Sequence, residues 1–396
     1  MSLLKRTKYI FFFFRNFPTL NLESIIEKKL EFDEEIIAIP ILYGKEVKIS
    51  KEEFEFLISI KENEWAFYDD INHDFLNKFL EIGLIFDKDS EKSQAFIEKE
   101  NILIEQQWHI YSALFSSMTK WRDIDVKFKI DSTKMDSAED MKKTIEENGY
   151  PPLFYHKVES YIDKVKINYP NLKEDPFFDI LLQRKTTRNF DKKLKLSFEK
   201  LSTILKYTFG VHGIRSLYES NIQSVKKTSP SGGGLHSTEV YILVMRVEGL
   251  ECGLYHYNVN DDNLYLIKKY TEEEAIKKAY QFTAGQEYCT DSSVLFFMSH
   301  RFYRNYWKYR KNTAAYSVLL REAGHLSQNI YLIATKLDLG VFTAAINHYN
   351  IEEELGLKAF EQGITAMVGI GVKDENPPLR IEPIFEEFVA DDTDTI

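Results

Sequence analysis

Cysteine is nearly absent: the 396 residues include two, Cys252 and Cys289, 37 positions apart. They form neither a CxxC pair nor a disulfide framework, so a stapled secreted scaffold is excluded and a reducing cytoplasm is the expected setting. None of the nine histidines forms an HxxxH pair or groups with a cysteine, so no metal site is expected. There is no nucleophile elbow either. A basic excess is lacking, because 51 Lys and Arg face 62 Asp and Glu for a net charge of −11. That balance excludes a protein that coats nucleic acid. No apolar run approaches the ~18 residues of a membrane span. The run Tyr9–Phe14, preceded by Lys5, Arg6 and Lys8, is stopped by Arg15 and has no small-residue cleavage site. It is shorter than the ~7–15 residues of a secretory apolar region, so a buried strand is expected there.

Aromatic residues, by contrast, are abundant. The 29 Phe, 23 Tyr and 4 Trp make up 14% of the chain, which excludes extensive disorder. The length suits two to three domains at ~150 residues each.

Three segments can be read. In the first, residues 1–90, the apolar run Ile36–Tyr43 and the turn Gly44-Lys45 lead into Glu46–Ile49 as a hairpin. Ser50 and Glu53 form a capping box for a helix over Lys51–Ile60. A second helix is predicted over His73–Ile82, closed by Gly83, with a returning strand at Leu84–Phe86. This order suggests a small winged-helix-like module. It carries many carboxylates and no basic recognition helix, so a sheet edge that takes up an extended peptide suits it better than DNA; a structural cap is the alternative. The second segment, residues 91–160, reads as a helical connector in which Trp108, Ile110, Tyr111, Leu114 and Met118 form a packing stripe, ended by Pro151-Pro152.

The third segment, residues 161–396, mixes helices and strands without a βαβ repeat, which makes the fold class α+β. Asp175-Pro176 opens a helix that reaches Arg184, and Ser197 and Gly210 bound the next one. Strands follow at Glu239–Val247 and Gly253–Tyr257, then a long helix over Thr313–Leu337 and a strand over Ile364–Val372.

Three motifs could carry chemistry. In Arg184-Lys185-Thr186-Thr187-Arg188-Asn189-Phe190, two arginines four apart form a compact anion site, because guanidinium makes forked hydrogen bonds to phosphate; a solvated helix end is the alternative. In Ser229-Pro230-Ser231-Gly232-Gly233-Gly234-Leu235-His236, three glycines imply positive φ or close backbone approach. The loop leads into a strand, so it is neither a P-loop nor a dinucleotide fingerprint; it could lay bare backbone against a flat ring, or be a flexible turn. In Glu322-Ala323-Gly324-His325-Leu326-Ser327-Gln328-Asn329, Gly324 costs roughly 1 kcal/mol inside a helix, which suggests tight packing, and His325 reads as a satisfied core residue.

Taken together with Gly253-Leu254-Tyr255-His256-Tyr257-Asn258, these motifs resemble the flavin-dependent nitroreductase superfamily, over roughly residues 150–375. Within it they are similar to dehydrogenases that oxidise azolines to azoles in peptides and to peptide-maturation dehydrogenases; Trp307-Lys308-Tyr309-Arg310 and Phe342-Thr343-Ala344-Ala345-Ile346-Asn347 add to that likeness. The first 100 residues match only loosely, as the small peptide-binding module of some relatives. The resemblance implies a homodimer with FMN at the subunit interface. Arg184, Thr186 and Arg188 would then hold the phosphate and the pyrimidine edge. Ser231, Gly232, Gly233 and Gly234 would line the ring, and Ala344, Ala345 and Ile346 would lie near its reactive nitrogen. Lys373 and Arg380 are the candidates for the phosphate. Lys308 and Tyr309 match the family's catalytic Lys-Tyr pair, as a base for the azoline α-proton. They stand about two residues further from Gly324-His325 than the family pattern, which would swing them away unless a bulge or loop absorbs the difference. Lys311 or Tyr316 could substitute, or Tyr309 could belong to an aromatic cluster with Tyr303, Tyr306 and Trp307.

The implied function is redox modification of residues in a ribosomally made precursor peptide, with azoline dehydrogenation first. The alternatives are reduction of dehydroalanine or dehydrobutyrine in a lanthipeptide with NAD(P)H as donor, a small-molecule nitro or quinone reductase, and a non-catalytic peptide-binding scaffold. Other peptide-modifying enzymes are expected partners, and no nucleic acid or membrane is.

Overall fold

The computed structural model describes residues 3–19, 31–69, 71–129, 138–154, 158–167, 175–216 and 223–375, with side chains of 17–19, 31–34, 128–129 and 138 left aside. Arg380 lies outside the described residues.

The first segment contains β1 (Leu4–Arg6), β2 (Ile10–Thr19), β3 (Glu31–Pro40), β4 (Val47–Ile49), α1 (Lys51–Ser59), α2 (His73–Glu81) and β5 (Ile85–Asp87). Its helices start where their caps dictate. The Ser50–Glu53 capping box is formed, and Asn72 accepts from the backbone of Asp74 and Phe75. Strands β2, β3 and β4 make an antiparallel sheet in that order, while β1 pairs with β5. The expected strand at Tyr9–Phe14 is present but not buried as a whole: Tyr9 is buried, Phe11, Phe12 and Phe13 are half-buried, and Phe14 is exposed. Successive side chains alternate between two faces, and both faces are packed only in part: Phe11 rests against the core shared with the connector, Ile10 and Phe12 against that of the first segment's helices.

The connector contains α3 (Glu91–Glu105), α4 (Ile110–Met118), α5 (Val126–Lys129) and α6 (Ala138–Asn148). Its expected stripe is borne out in part, since Trp108, Ile110 and Leu114 pack in one core. Trp108 precedes α4, whose N-cap is His109, Tyr111 is exposed, and the buried face is Ser112, Ala113, Ser116 and Ser117. Trp108 instead packs edge-on against Phe302 and Tyr306, each with ring centroids 4.7 Å away, and its indole N–H donates to the Phe360 carbonyl at 3.1 Å. Such aromatic pairs contribute about 1 kcal/mol each beyond area burial. All three segments therefore share one core, in which Tyr9, Phe86 and Leu103 meet Phe302, Tyr316 and Leu319.

The remaining elements are α7 (Pro176–Gln183), α8 (Phe198–Phe209), β6 (Gly213–Ser216), β7 (Gln223–Lys226), β8 (Thr238–Val244), β9 (Gly253–Asn258), β10 (Asn263–Lys269), α9 (Glu272–Phe282), α10 (Glu287–Asp291), β11 (Val294–Arg301), α11 (Phe302–Tyr309), α12 (Ala315–Lys336), β12 (Gly340–Thr343), α13 (His348–Leu355) and β13 (Gln362–Gly371). A six-stranded antiparallel sheet runs β10-β9-β8-β11-β13-β12. Its inner strand β11 is covered on both faces. Val294, Phe296 and Met298 meet α8 and α12, while Leu295 and Phe297 meet α9 and the β12–α13 side. The fold is α+β, as expected. The α12 stripe Ala315, Leu319, Ala323, Leu326, Ile330 and Ala334 is buried as its spacing predicts. Among the described residues no helix is long and apolar enough to cross a membrane, and no cluster of His, Cys, Asp or Glu could hold a metal.

Candidate functional site

Gly232–Gly234 form a short 3-10 turn in which Gly233 and Gly234 adopt φ of +65° and +70°. That left-handed region is open to glycine at no steric cost. Close approach matters as well. A Cβ on Gly232 would lie 2.1 Å from Val318 Cγ1, and one on Gly233 would lie 2.9 Å from Lys308 Cδ and Nζ and 3.1 Å from the Tyr309 hydroxyl. Gly234 has nothing within 4 Å of its would-be Cβ, so its backbone is bare.

The loop is held from behind by α12. Ser231 donates to the Glu322 carboxylate and accepts from the His236 backbone N–H at 2.9 Å. Glu322 also accepts from the Thr238 backbone N–H at 3.1 Å and its hydroxyl at 2.5 Å. One helical turn on, His325 Nδ1 lies 3.4 Å from the Pro230 carbonyl oxygen, and Asn329 donates to Ser229 at 2.9 Å. Positions 322, 325 and 329 share a helix face, so one element fixes the whole loop. Burial would raise the Glu322 carboxyl, but hydrogen bonds from Ser231 and Thr238 and the nearby His300 hold it below the usual carboxylate value. His300 is fully buried, with Nδ1 3.2 Å from the Ser237 and Thr238 hydroxyls, and burial pushes its imidazole down to about 4.

Two expectations about this helix are corrected. Gly324 is exposed, and among the described residues nothing lies within 4 Å of a Cβ built on it, so no neighbouring backbone packs there. His325 is exposed rather than a core residue, because it sits on the rim beside the loop and not in the stripe.

Lys308 and Tyr309 end α11. Arg310 leaves the helix at φ 1°, ψ 135°, and the Lys311 N–H donates to the Gln107 carbonyl at 2.8 Å. This loop separates α11 from α12, and the ends of Lys308 and Tyr309 lie against Gly233. Tyr316 cannot replace them. It is buried among Trp108, Phe115 and Phe302, and that burial raises its phenol pKa. Tyr306 is in the same core, whereas Tyr303 and Trp307 are exposed, so the four rings form no single cluster.

The arginine segment is a second station on α12. Thr187 N–H donates to Val341 O at 2.9 Å, and Asp191 N–H to Val372 O at 3.0 Å, laying the segment along β12 and past the end of β13. Thr187 and Phe190 turn inward, while Arg184 lies over the Tyr331 ring at 5.6 Å and Arg188 over Tyr288 at 5.3 Å. Thr186 Oγ1 is 3.4 Å from the Tyr331 hydroxyl. Neither arginine pairs with a carboxylate among the described residues. Tyr288 hydrogen-bonds Gln286, which donates to the Ala345 carbonyl at 3.4 Å, so the Ala344-Ala345 loop belongs with the arginines. Ile346 is turned into the core beside Phe342, leaving the two alanines half-buried. Lys373 is engaged by Asp338 at 2.7 Å. From Glu322 to Tyr331 the helix rises about 13 Å, so the glycine loop and the arginines stand apart within one chain. Two bare guanidinium groups suit a phosphate and a bare glycine backbone suits a flat ring, so the residues fit FMN.

Sequence reasoning passed over Glu322, and also Lys227 and Arg304. A cavity of about 570 Å³ lies between the β6–β7 hairpin and the loop, lined by Arg215, Lys227, Ser231, Gly234 and His236. Burial lowers the Lys227 amine, against the opposing pull of Glu239 and Glu322, and burial followed by Lys227 lowers His236. Arg304 donates to the Leu235 carbonyl. Lys226-Lys227, one residue before the glycine motif, was the readable signal.

The model of the nitroreductase family matches residues 181–372. A Methanocaldococcus jannaschii protein named as a nitroreductase is 27% identical over 50% of this chain and 93% of its own length. The trifolitoxin-processing protein TfxB of Rhizobium leguminosarum bv. trifolii is 26% identical over 67% of this chain and 70% of its own. Among solved structures, the E. coli microcin synthetase McbBCD complex with truncated pro-MccB17 aligns at TM-score 0.46 and 17% identity, over 70% of this chain and 97% of the aligned one.

Proposed function

Residues 181–372 are a nitroreductase family domain, and from that premise we propose that the chain is an FMN-dependent oxidoreductase acting on modified residues of a ribosomally made peptide, with azoline-to-azole dehydrogenation as its reaction. One observation carries the placing of a proton-transfer group at the ring: the ends of Lys308 and Tyr309 lie beside Gly233, at the loop a flavin ring would cover. An azoline must lose its α-proton, and a basic side chain at the ring's edge is the group for it. A reductase of dehydroalanine would use the same position as an acid. The kinship with TfxB, a trifolitoxin-processing protein, supports a peptide substrate.

Arg184, Thr186 and Arg188 would hold the phosphate and the pyrimidine edge, and Ser231 to Gly234 would line the ring. Ala344 and Ala345 would border it. When bound, FMN supplies the hydride acceptor. A cation near the pyrimidine edge stabilises the negative charge of the reduced ring. The two stations on α12 suit a homodimer in which the arginines of one subunit meet the glycine loop of the other. Helix α7 supports that arrangement, since it buries none of its residues and leaves Phe177 and Leu182 exposed. The outer strands of the first segment's sheet offer an edge to a peptide.

Purified protein is expected to be yellow and dimeric; colourless protein that takes up no FMN overturns the reading. With an azoline peptide the expected product lacks two hydrogens. Prompt anaerobic bleaching by NADPH, with reduction of dehydroalanine, would favour the reductase instead. Lys308→Ala should retain FMN and lose about 10²–10⁴-fold in turnover; unchanged turnover removes Lys308 from the mechanism.

A further inference from the structure

A second pocket lies far along the chain from the glycine loop, where the first segment, the connector and α13 meet. Its volume is about 260 Å³, and its walls include Tyr43, Lys45, Lys99, Lys120, Arg122 and Tyr349. That is room for roughly nine waters, enough for a compact anion and too little for a nucleotide. Four of the lining residues are cations, and no lining residue is a carboxylate.

The cations are not equivalent. Lys120 is buried with Glu352 at 2.8 Å, and Arg122 pairs with Glu353 at 2.6 Å while lying 4.5 Å from the Tyr349 ring. Among the described residues Lys99, reaching in from α3, has only the Leu42 carbonyl at 3.2 Å and the Phe96 ring at 5.3 Å. A desolvated ammonium without an anion is costly. Its amine is lowered by burial first and by the Arg122 charge second, against the pull of Glu353, so the two lining cations repel each other. The turn on the pocket wall requires glycine: Gly44 sits at φ +77°, and its would-be Cβ is 2.8 Å from the Tyr349 hydroxyl.

We propose that this pocket binds a compact oxyanion, a carboxylate or phosphate, between Lys99 and Arg122. The anion completes the local charge balance and ties α3, whose Lys99 holds the Leu42 carbonyl, to Arg122 and its α13 partner Glu353. A free small acid and a glutamate side chain on a peptide supply the same chemistry.

Calorimetry on the full chain at constant ionic strength tests this with three probes: inorganic phosphate, glutarate, and an end-blocked Gly-Glu-Gly peptide. Binding of phosphate or glutarate identifies a free anion, and binding of the blocked peptide alone identifies a side chain. In either case Lys99→Met and Arg122→Gln should each weaken binding at least about tenfold. The bound probe should also slow acylation of Lys99 in the wild type, read by peptide mass mapping, which needs no variant to fold. No heat and no protection with any probe, or equal affinity in wild type and both variants, overturns the proposal.

Discussion

The glycine loop and the arginine segment both rest on α12, yet they are held in opposite ways. The loop is fixed by side chains from behind, with Glu322 buried and accepting from Ser231 and Thr238. The segment is fixed by its own backbone, through Thr187 to Val341 and Asp191 to Val372, and its arginine ends are left on aromatic rings. The difference follows from composition. Three glycines have no side chains with which to anchor themselves, so a neighbour must impose their shape. An arginine meant for a ligand's phosphate must not be committed to an internal carboxylate. Stability and ligand binding are therefore expected to separate between the two regions.

The largest effect should come from Glu322→Ala. It strands the Thr238 N–H and the Ser231 hydroxyl, and the cost of unsatisfied buried donors suggests about 3 kcal/mol in urea unfolding. A loss below about 0.5 kcal/mol would show that the loop holds its shape alone. The same network gives a pH dependence. Burial puts His300 at about 4, and burial followed by Lys120 does the same to His348. Both lie below the ordinary value near ~6.5. The unfolded chain then binds more protons between these values, so stability rises with pH from about 4 to 6.5 and falls as acid is added. The depressed Glu322 carboxyl works in the same direction at the acid end. Melting temperature should decline steadily across that window, and a flat profile would contradict the buried neutral histidines.

A smaller loss is expected for Gly233→Ala. Its φ of +65° costs an L-residue about 1–2 kcal/mol, and the new methyl would displace Lys308, 2.9 Å away. Turnover should therefore fall more than stability does. A variant as stable and active as the wild type would remove both the strain and the contact.

How much of this could be read in the chain depends on the kind of signal. Caps and glycines are local, so α1, α7 and α8 begin where Ser50, Asp175 and Ser197 predict. The six-stranded sheet was harder. Its inner strand, Val294–Arg301, went unread because apolar residues on both faces leave a continuous run with no alternation. The glycine loop and arginine motif were legible as sequence, but not that they occupy separate stations along one helix. Glu322 was missed although it lies between Leu319 and Leu326 on the buried face, where a carboxylate in an apolar stripe is itself a signal. Trp108 was assigned to a helical stripe because its partners, Phe302 and Tyr306, lie almost two hundred residues away.

The smallest effect on stability sharpens the comparison most. Arg188→Ala removes an exposed cation over the Tyr288 ring at 5.3 Å, worth about 0.5 kcal/mol. The backbone pairing that lays down the segment does not involve that side chain, so the unfolding midpoint should barely move. If the arginines are held free for a phosphate, FMN should nonetheless dissociate at least about tenfold more readily, because a charge-assisted hydrogen bond is lost. Fluorescence of released flavin measures this directly in the same samples. Retained affinity with an unchanged midpoint would mean that Arg188 is merely a solvated end of the segment. A large loss of stability would mean that the arginine, like Glu322, belongs to the scaffold, and the contrast between the two regions would fail.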